Sequence, residues 1–442
     1  MRSMIVSFSH PCARWALLGL LLACAAAGAL VVTSPQAKAA SGSSRQLHAP
    51  ASRYPAGATR PVRTLDSTQL RASLAAAKAK PRRKRSKKPA LRGNPARALL
   101  AFQAMQKIYY IPGSGLYDGE PFSYLWPFSQ ALAATVSMAN VPHLGVSFTH
   151  ELQAQMVGLR SYLDSDNSGA PEGIYTSRLA AFDGTVAPPT GPGGPKYYDD
   201  NDWVGIELAR LYKVNHDPSA LGNAEAIMAF EMDGWQGSPE LGCPGGLPFS
   251  NAAENTDRNT VTTAPAAELA VQLYRITANV QYLQFAEMAY NWVRACLLQP
   301  SQLYADHVNR SGVVEPTLWS YNQGTMIGAG TLLYQATGNS GYLYQARQTA
   351  QAARAYFTPE RLGAENPFFP SVYFRNLMYL DSVTHDPPGP KIAQAYVDYA
   401  WQHLRLANNQ FVAGSPASAQ LLVQAAIVQV YALLCSPPST YF

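Results

Sequence analysis

The stretch Leu333-Tyr334-Gln335-Ala336-Thr337-Gly338-Asn339-Ser340-Gly341-Tyr342-Leu343-Tyr344-Gln345-Ala346 decides the fold. It reads as one helix closing, a tight turn, and the next helix opening. The same phrase stands earlier in the chain. Leu211-Tyr212, Leu273-Tyr274 and Leu333-Tyr334 are 62 and 60 residues apart. Each is followed ten positions on by a leucine (Leu221, Leu283, Leu343) and thirteen on by an alanine (Ala224, Ala286, Ala346). Self-similarity at a fixed period marks a repeated supersecondary unit.

Outward from this repeat, apolar residues recur at three- and four-residue steps from about residue 96 to the end. The periodicity predicts twelve helices, near 96–110, 126–140, 149–164, 200–214, 217–234, 261–276, 279–298, 320–336, 340–356, 371–384, 390–405 and 416–435. Gly-, Pro- and Asn-rich loops separate them, and no run alternates as a strand would. Six hairpins closed into a ring make an all-α (α/α)6 barrel. A linear helical solenoid carries the same local signature and is the structural alternative.

If the tight turns lie at one end of the hairpins, the longer loops lie at the other, and they carry the candidate chemistry. Tyr197-Tyr198-Asp199-Asp200-Asn201-Asp202-Trp203 opens one helix. Acidic residues in a first helical turn are ordinarily capping groups. Here they stand among aromatics, which offer flat faces to sugar rings. Glycoside hydrolysis commonly uses two carboxyls, and neighbouring carboxyls push their pKa values apart. Trp126-Pro127-Phe128 opens another helix, and Trp319-Ser320-Tyr321-Asn322-Gln323-Gly324-Thr325 a third. Asp306-His307 and Asp257-Arg258-Asn259 lie on loops between. Together Trp, Tyr, Asn, Gln and Asp suit a carbohydrate. Singly, Trp126 or Trp319 reads as core and Asn259 as a cap.

Other chemistries are disfavoured. Gly245-Gly246 lacks the Lys-Ser/Thr ending and preceding strand of a phosphate loop. The histidines, His307 included, and the cysteines lack metal-ligand spacing, so neither metal nor cofactor is expected. Cys243, in a Gly/Pro loop, is expected to pair with Cys296 near a helix end. That leaves Cys435 as a buried thiol in the C-terminal helix.

Residues 1–40 read as a signal peptide: Arg2 and Arg14, an apolar run from Trp15 to Val32, then Ala37-Lys38-Ala39. An uncleaved anchor is the alternative. Residues 41–95 read as a disordered, basic, Pro- and Ala-rich tail, and 96–442 as the folded domain. The overall charge of +6 hides an asymmetry. Residues 1–97 hold 18 of the 34 Lys and Arg and one of the 28 acids, which leaves 98–442 at −11. Behind an export signal, the basic run suits contact with an anionic cell envelope better than nucleic acid. The expected location is secreted or envelope-associated, and the expected state a monomer.

Tyr198-Asp199-Asp200-Asn201-x-Trp203, the Gly-Gly loop and Tyr321-Asn322-Gln323-Gly324-Thr325, in this order, resemble glycoside hydrolase family 76. The "LY…TGN…YL…A" phrase is also similar to that family, and the resemblance covers about 96–435. It implies an (α/α)6 barrel of retaining endo-α-1,6-mannanases acting on mannan. Carried over by motif, Asp199 is implied as nucleophile and Asp200 as general acid/base. Tyr198, Asn201, Asn259, Trp319 and Tyr321 are implied at the subsites. Mannosyl transfer in envelope remodelling, or mannan binding without catalysis, are the alternatives. Two departures stand out: Leu247-Pro248-Phe249 follows the glycines where tryptophan is usual, and Asp202 stands where a small residue is common.

Overall fold

The structure, a computed structural model, describes residues 91–119, 121–165, 174–386, 388–413 and 420–442. The expected signal peptide and nearly all of the expected tail lie outside the described residues. The helices are α1 (Gly93–Tyr109), α2 (Leu125–Ala139), α3 (Thr149–Leu159), α4 (Tyr198–Asn215), α5 (Pro218–Asp233), α6 (Thr260–Thr277) and α7 (Val280–Leu297). They continue as α8 (Ser320–Thr337), α9 (Ser340–Tyr356), the short α10 (Pro359–Ala364), α11 (Phe368–Thr384), α12 (Gly389–His403) and α13 (Gln420–Leu433). Every expected helix is present. α10 was not anticipated, because one and a half turns hold no period to detect. α1 begins three residues inside the expected tail.

Six helices form an inner ring. α2 packs on α4, α4 on α6, α6 on α8, α8 on α11, α11 on α13, and α13 returns to α2. The ring is closed, so the fold is an (α/α)6 barrel and not a solenoid. Inner helices are buried nearly all round: thirteen of the fourteen residues of α13 and thirteen of the fifteen in α2. Outer helices bury one stripe, as α7 does with Phe285, Ala286, Ala289, Tyr290, Val293 and Leu297. The inner helices approach closely where side chains are absent. A Cβ on Gly324 would strike the Tyr373 backbone, and one on Gly328 the side chains of Asn376 and Glu268.

The repeated phrase is a helix-turn-helix device. α4, α6 and α8 end in left-handed residues, His216, Ala278 and Gly338, whose N–H groups donate to Tyr212, Tyr274 and Tyr334 carbonyls. The next residue, Asp217, Asn279 or Asn339, accepts from the second N–H of the following helix. The alanines thirteen positions on are fully buried. The outer helices are linked by a repeated rung. Tyr282 Oη donates to Glu225 at 3.2 Å, and Tyr342 Oη to Glu287 at 3.1 Å.

The sixth hairpin is made from the two ends of the folded region: α1 packs on α13. Gln424 on α13 donates to the Ala101 carbonyl at 2.7 Å and accepts from the Phe411 N–H at 2.7 Å.

The tight turns lie at one end and the long loops at the other, where all six inner helices begin. Two small antiparallel sheets stitch those loops: β1 (Leu163–Asp164) with β2 (Ala181–Phe182), and β3 (Arg258–Asn259), β4 (His307–Val308) and β5 (Val314–Glu315). Each strand is two residues long, too short for alternation to show in sequence. Cys243 and Cys296 are bonded, as expected. Cys435 is a correction: it lies just past α13 and is only half-buried, because the helix ends two residues earlier.

Candidate active site

Asp199 and Asp200 fall in the first turn of α4, behind Tyr197, whose side chain makes no cap. The segment entering this turn is held firmly. Buried Lys196 bridges Asp164 at 3.0 Å and Asp183 at 3.6 Å, and its N–H donates to Asn251 Oδ1. Asp200 is 8% exposed and Asp199 half-buried. Burial pushes Asp199 up to about 7, although the main-chain N–H groups of Asp200 and Asp199 oppose the rise. Burial and the neighbouring Asp199 raise Asp200 well above the ordinary range, against a nearby main-chain N–H of Trp126. Both carboxyls are thus raised, and two like charges this close favour one proton on the pair over two ionised groups. Six inner-helix N-termini converge at this end, and their dipoles favour the one negative charge.

An aromatic wall faces the pair. Trp126 lies 5.3 Å edge-on to Phe368 and stacks on Phe369 at 6.4 Å. Trp319 and Tyr321 meet Phe369 at 5.4 and 4.2 Å. Tyr321 lies close enough to both Asp306 and Asp199 for their charges to raise its pKa further, after burial, the main cause. It therefore lies within electrostatic reach of both acids. Asn322 donates to Asp306 at 3.5 Å, and Asn259 ends β3 with its amide turned to the Asp257 carbonyl.

Three expected lining residues are instead structural. Tyr198 is fully buried and stacks on Phe230 at 4.5 Å, because its position points into the barrel wall toward α5. Asn201 is fully buried and spends its amide on the main chain of Phe182 and the Tyr197 carbonyl, tying β2 to α4. Gln323 grips the main chain of Tyr304 and the Trp319 carbonyl. All three are bonded or packed within the scaffold beneath the cleft.

Sequence reasoning missed Phe368 and Phe369. Their signal was positional, since Asn366-Pro367-Phe368-Phe369 opens inner helix α11 as Trp126-Pro127 opens α2. It also missed Glu365, which accepts from the Ser320 N–H at 3.0 Å and from its hydroxyl, and so fixes the start of α8. The glycine loop is set by packing. Gly245 and Gly246 have φ of +117° and +81°, and a Cβ on either would enter the Trp292 ring. Arg258, fully buried, donates to the Gly242 and Cys243 carbonyls behind that loop.

Beneath the pair lies a further set of acids. Asp202, one turn below Asp199, and Glu231 on α5 are fully buried and make no hydrogen bond among the described residues. Burial and each other's proximity hold Asp202 well above its ordinary pKa, and Glu231 is raised by burial and by Asp199. Among the described residues no cluster of His, Cys, Asp and Glu has the geometry of a metal site.

A closed ring of helical hairpins with two unlike carboxyls against an aromatic wall has the parts of a glycosidase site. Residues 101–379 match the family model described as Glycosyl hydrolase family 76, and the chain belongs to that family. It is similar to the mannan endo-1,6-alpha-mannosidase DCW1 of Candida glabrata, 28% identical over 26% of this chain and 28% of that protein. DCW1 of Saccharomyces cerevisiae is 24% identical over 36% of this chain and 38% of its own length. The matched stretches thus span less than two fifths of either relative. In structure it resembles a family 76 mannosidase of Bacteroides thetaiotaomicron, with a TM-score of 0.67 and 22% identity over 77% of this chain and 98% of that one. It also resembles an inactive α-1,6-mannanase of Salegentibacter with two consecutive aspartates replaced, in complex with α-1,6-mannotriose. There the TM-score is 0.62 and the identity 20%, over 77% of this chain and all of that one.

Proposed function

We propose that this chain is a retaining endo-α-1,6-mannosidase acting on mannan outside the cell. The observation that carries the reading is the acid pair: Asp199 and Asp200 are adjacent in one helical turn, and burial raises both above the ordinary carboxyl range, so that one can stay protonated while the other ionises. Asp200 gives its proton to the departing glycosidic oxygen as Asp199 attacks the anomeric carbon. A mannosyl ester on Asp199 results, and the leaving chain departs as an alcohol. Asp200, now ionised, takes a proton from water. The water oxygen displaces Asp199 at the anomeric carbon, and the shortened chain is released with its new reducing end in the original α configuration. The names of the matched relatives supply the bond type. Trp126, Trp319, Tyr321 and Phe369 offer the ring faces, and Asp306 and Asn259 the polar contacts. Export, a monomeric state and contact of the basic tail with an anionic envelope belong to this reading.

The test is incubation of the full chain with linear α-1,6-mannan, with products followed by size and by proton NMR of the anomers. Shorter chains born as α-anomers support the reading. Longer chains indicate mannosyl transfer. Binding without any product indicates a non-catalytic wall protein.

A further inference from the structure

His307 occupies the middle of a row of carboxylates at the cleft rim. It lies on β4, paired with Asn259 of β3 on one side and Glu315 of β5 on the other. Its Nδ1 is 3.0 Å from Asp306 Oδ2 and its Nε2 3.6 Å from Asp257 Oδ2. The charged groups that face it are Asp306 just before β4, Asp257 before β3 and Glu315 on β5, all carboxylates. Arg258, the nearby cation of β3, is directed away, to main-chain carbonyls of Gly242, Cys243, Thr256 and Asn309. The far oxygen of Asp306 receives the Asn322 amide, and Tyr321 lies within electrostatic reach of both Asp306 and Asp199.

We infer that His307 is a positioning residue: as an imidazolium it clamps Asp306 against Asp257 and holds the Asp306 carboxylate in the cleft for a sugar hydroxyl. The inference rests on the functional reading above. The physical reason is the proton count. A neutral imidazole has one N–H and no charge, whereas the imidazolium keeps an N–H on Asp306 and turns a second, positively charged N–H toward Asp257 as an ion pair at 3.6 Å. The main chain of Asp306 is already pinned, with Thr260 N–H on its carbonyl at 2.9 Å and its own N–H on Glu315 at 3.1 Å. What is left to fix is the carboxylate rotamer, and Nδ1 of His307 and the Asn322 amide fix it from opposite sides. The surrounding acids raise the His307 pKa above its ordinary value, chiefly through the Asp306 hydrogen bond, and so favour the charged clamp. As pH rises through that value one arm is lost and the rim loosens.

The test uses the full chain carrying Asp199→Asn and Asp200→Asn, so that the acid pair no longer titrates. Affinity for α-1,6-mannotetraose is measured by calorimetry from about pH 6 to about pH 9. The expected result is a loss of roughly threefold to tenfold across the His307 titration, the worth of one hydrogen bond. Adding His307→Gln should bring the affinity to the weak level at every pH and flatten the profile. An unchanged profile in His307→Gln overturns the inference. If the tetraose binds at no pH in either variant, the mannoside reading falls. The clamp is then decided by NMR of the imidazole. A pKa above the ordinary histidine value that drops in Asp306→Asn and in Asp257→Asn supports it, and an ordinary value overturns it.

Discussion

The main-chain N–H of Trp126, in the first turn of α2, lies close enough to the carboxyl of Asp200, in the first turn of α4, to oppose the rise of its pKa. One inner helix thus shapes the surroundings of the acid that another carries, and the same tryptophan forms part of the aromatic wall. The two carboxyls meet different surroundings although they are neighbours in sequence, and the proposed mechanism gives them different roles.

Asp199→Asn and Asp200→Asn should each lower kcat on α-1,6-mannan by about three orders of magnitude or more, with folding intact by circular dichroism. They should differ on an aryl mannobioside with a good leaving group. Asp200→Asn should recover most of its first-step rate there, because no proton is needed. Asp199→Asn should recover none. Equal recovery would contradict the assigned roles.

The pH profile of kcat/KM should be bell-shaped and displaced upward. Asp199 must be ionised, so the acid limb rises through about 7. Asp200 must be protonated, so the alkaline limb falls as it ionises, well above the ordinary carboxyl range. Initial rates across the pH range check this. Full activity at pH 4 would contradict it.

Asp202 and Glu231 are held protonated in the folded chain and have ordinary carboxyl values once unfolded. Folding therefore takes up protons. Their contribution is favourable below the unfolded value and is lost as pH rises toward the folded one. The Tm should be higher near pH 5 than near pH 8. Asp202→Asn should flatten that slope and raise Tm near pH 8 by roughly 3 °C or more. A variant less stable than the parent at that pH would contradict the account.

Gln424→Ala should cost about 2–4 kcal/mol in chemical denaturation, because it leaves the Phe411 N–H and the Ala101 carbonyl buried without their partner. A loss under about 0.5 kcal/mol would mean that the α1–α13 closure bears little of the stability.

Trp126→Ala and Phe369→Ala should raise KM on mannan oligosaccharides roughly tenfold, with a smaller effect on kcat, through loss of ring-face contact. Steady-state kinetics with α-1,6-mannotetraose would show it. An unaltered KM in both would remove the aromatic wall from substrate binding.

The sequence by itself determined the helices, their hairpin pairing and the position of the acid pair. These are local facts: a 3.6-residue period, a left-handed cap followed by Asp or Asn, and two carboxyls at a helix start. Asp199, Asp200, Trp126, Trp319, Tyr321 and Asp306 could be found because they sit on loops and helix starts at one end. Only the tertiary structure decided that the ring closes. Closure depends on α13 meeting α1 and α2, contacts some three hundred residues apart in the chain, and Gln424 to Ala101 has no local signature. Only the tertiary structure separated the lining residues from those behind them. Tyr198 and Asn201 flank the acids in sequence, but successive helical residues point about 100° apart. One therefore turns into the wall toward α5 and the other against β2, while Phe369, 169 residues from Asp200, comes round to face the pair. Adjacency alone predicts one pKa pushed from the other, but the rise of both carboxyls is tertiary. It follows from how deeply each carboxyl is buried and which N–H groups reach it, and side-by-side residues in a sequence carry neither fact.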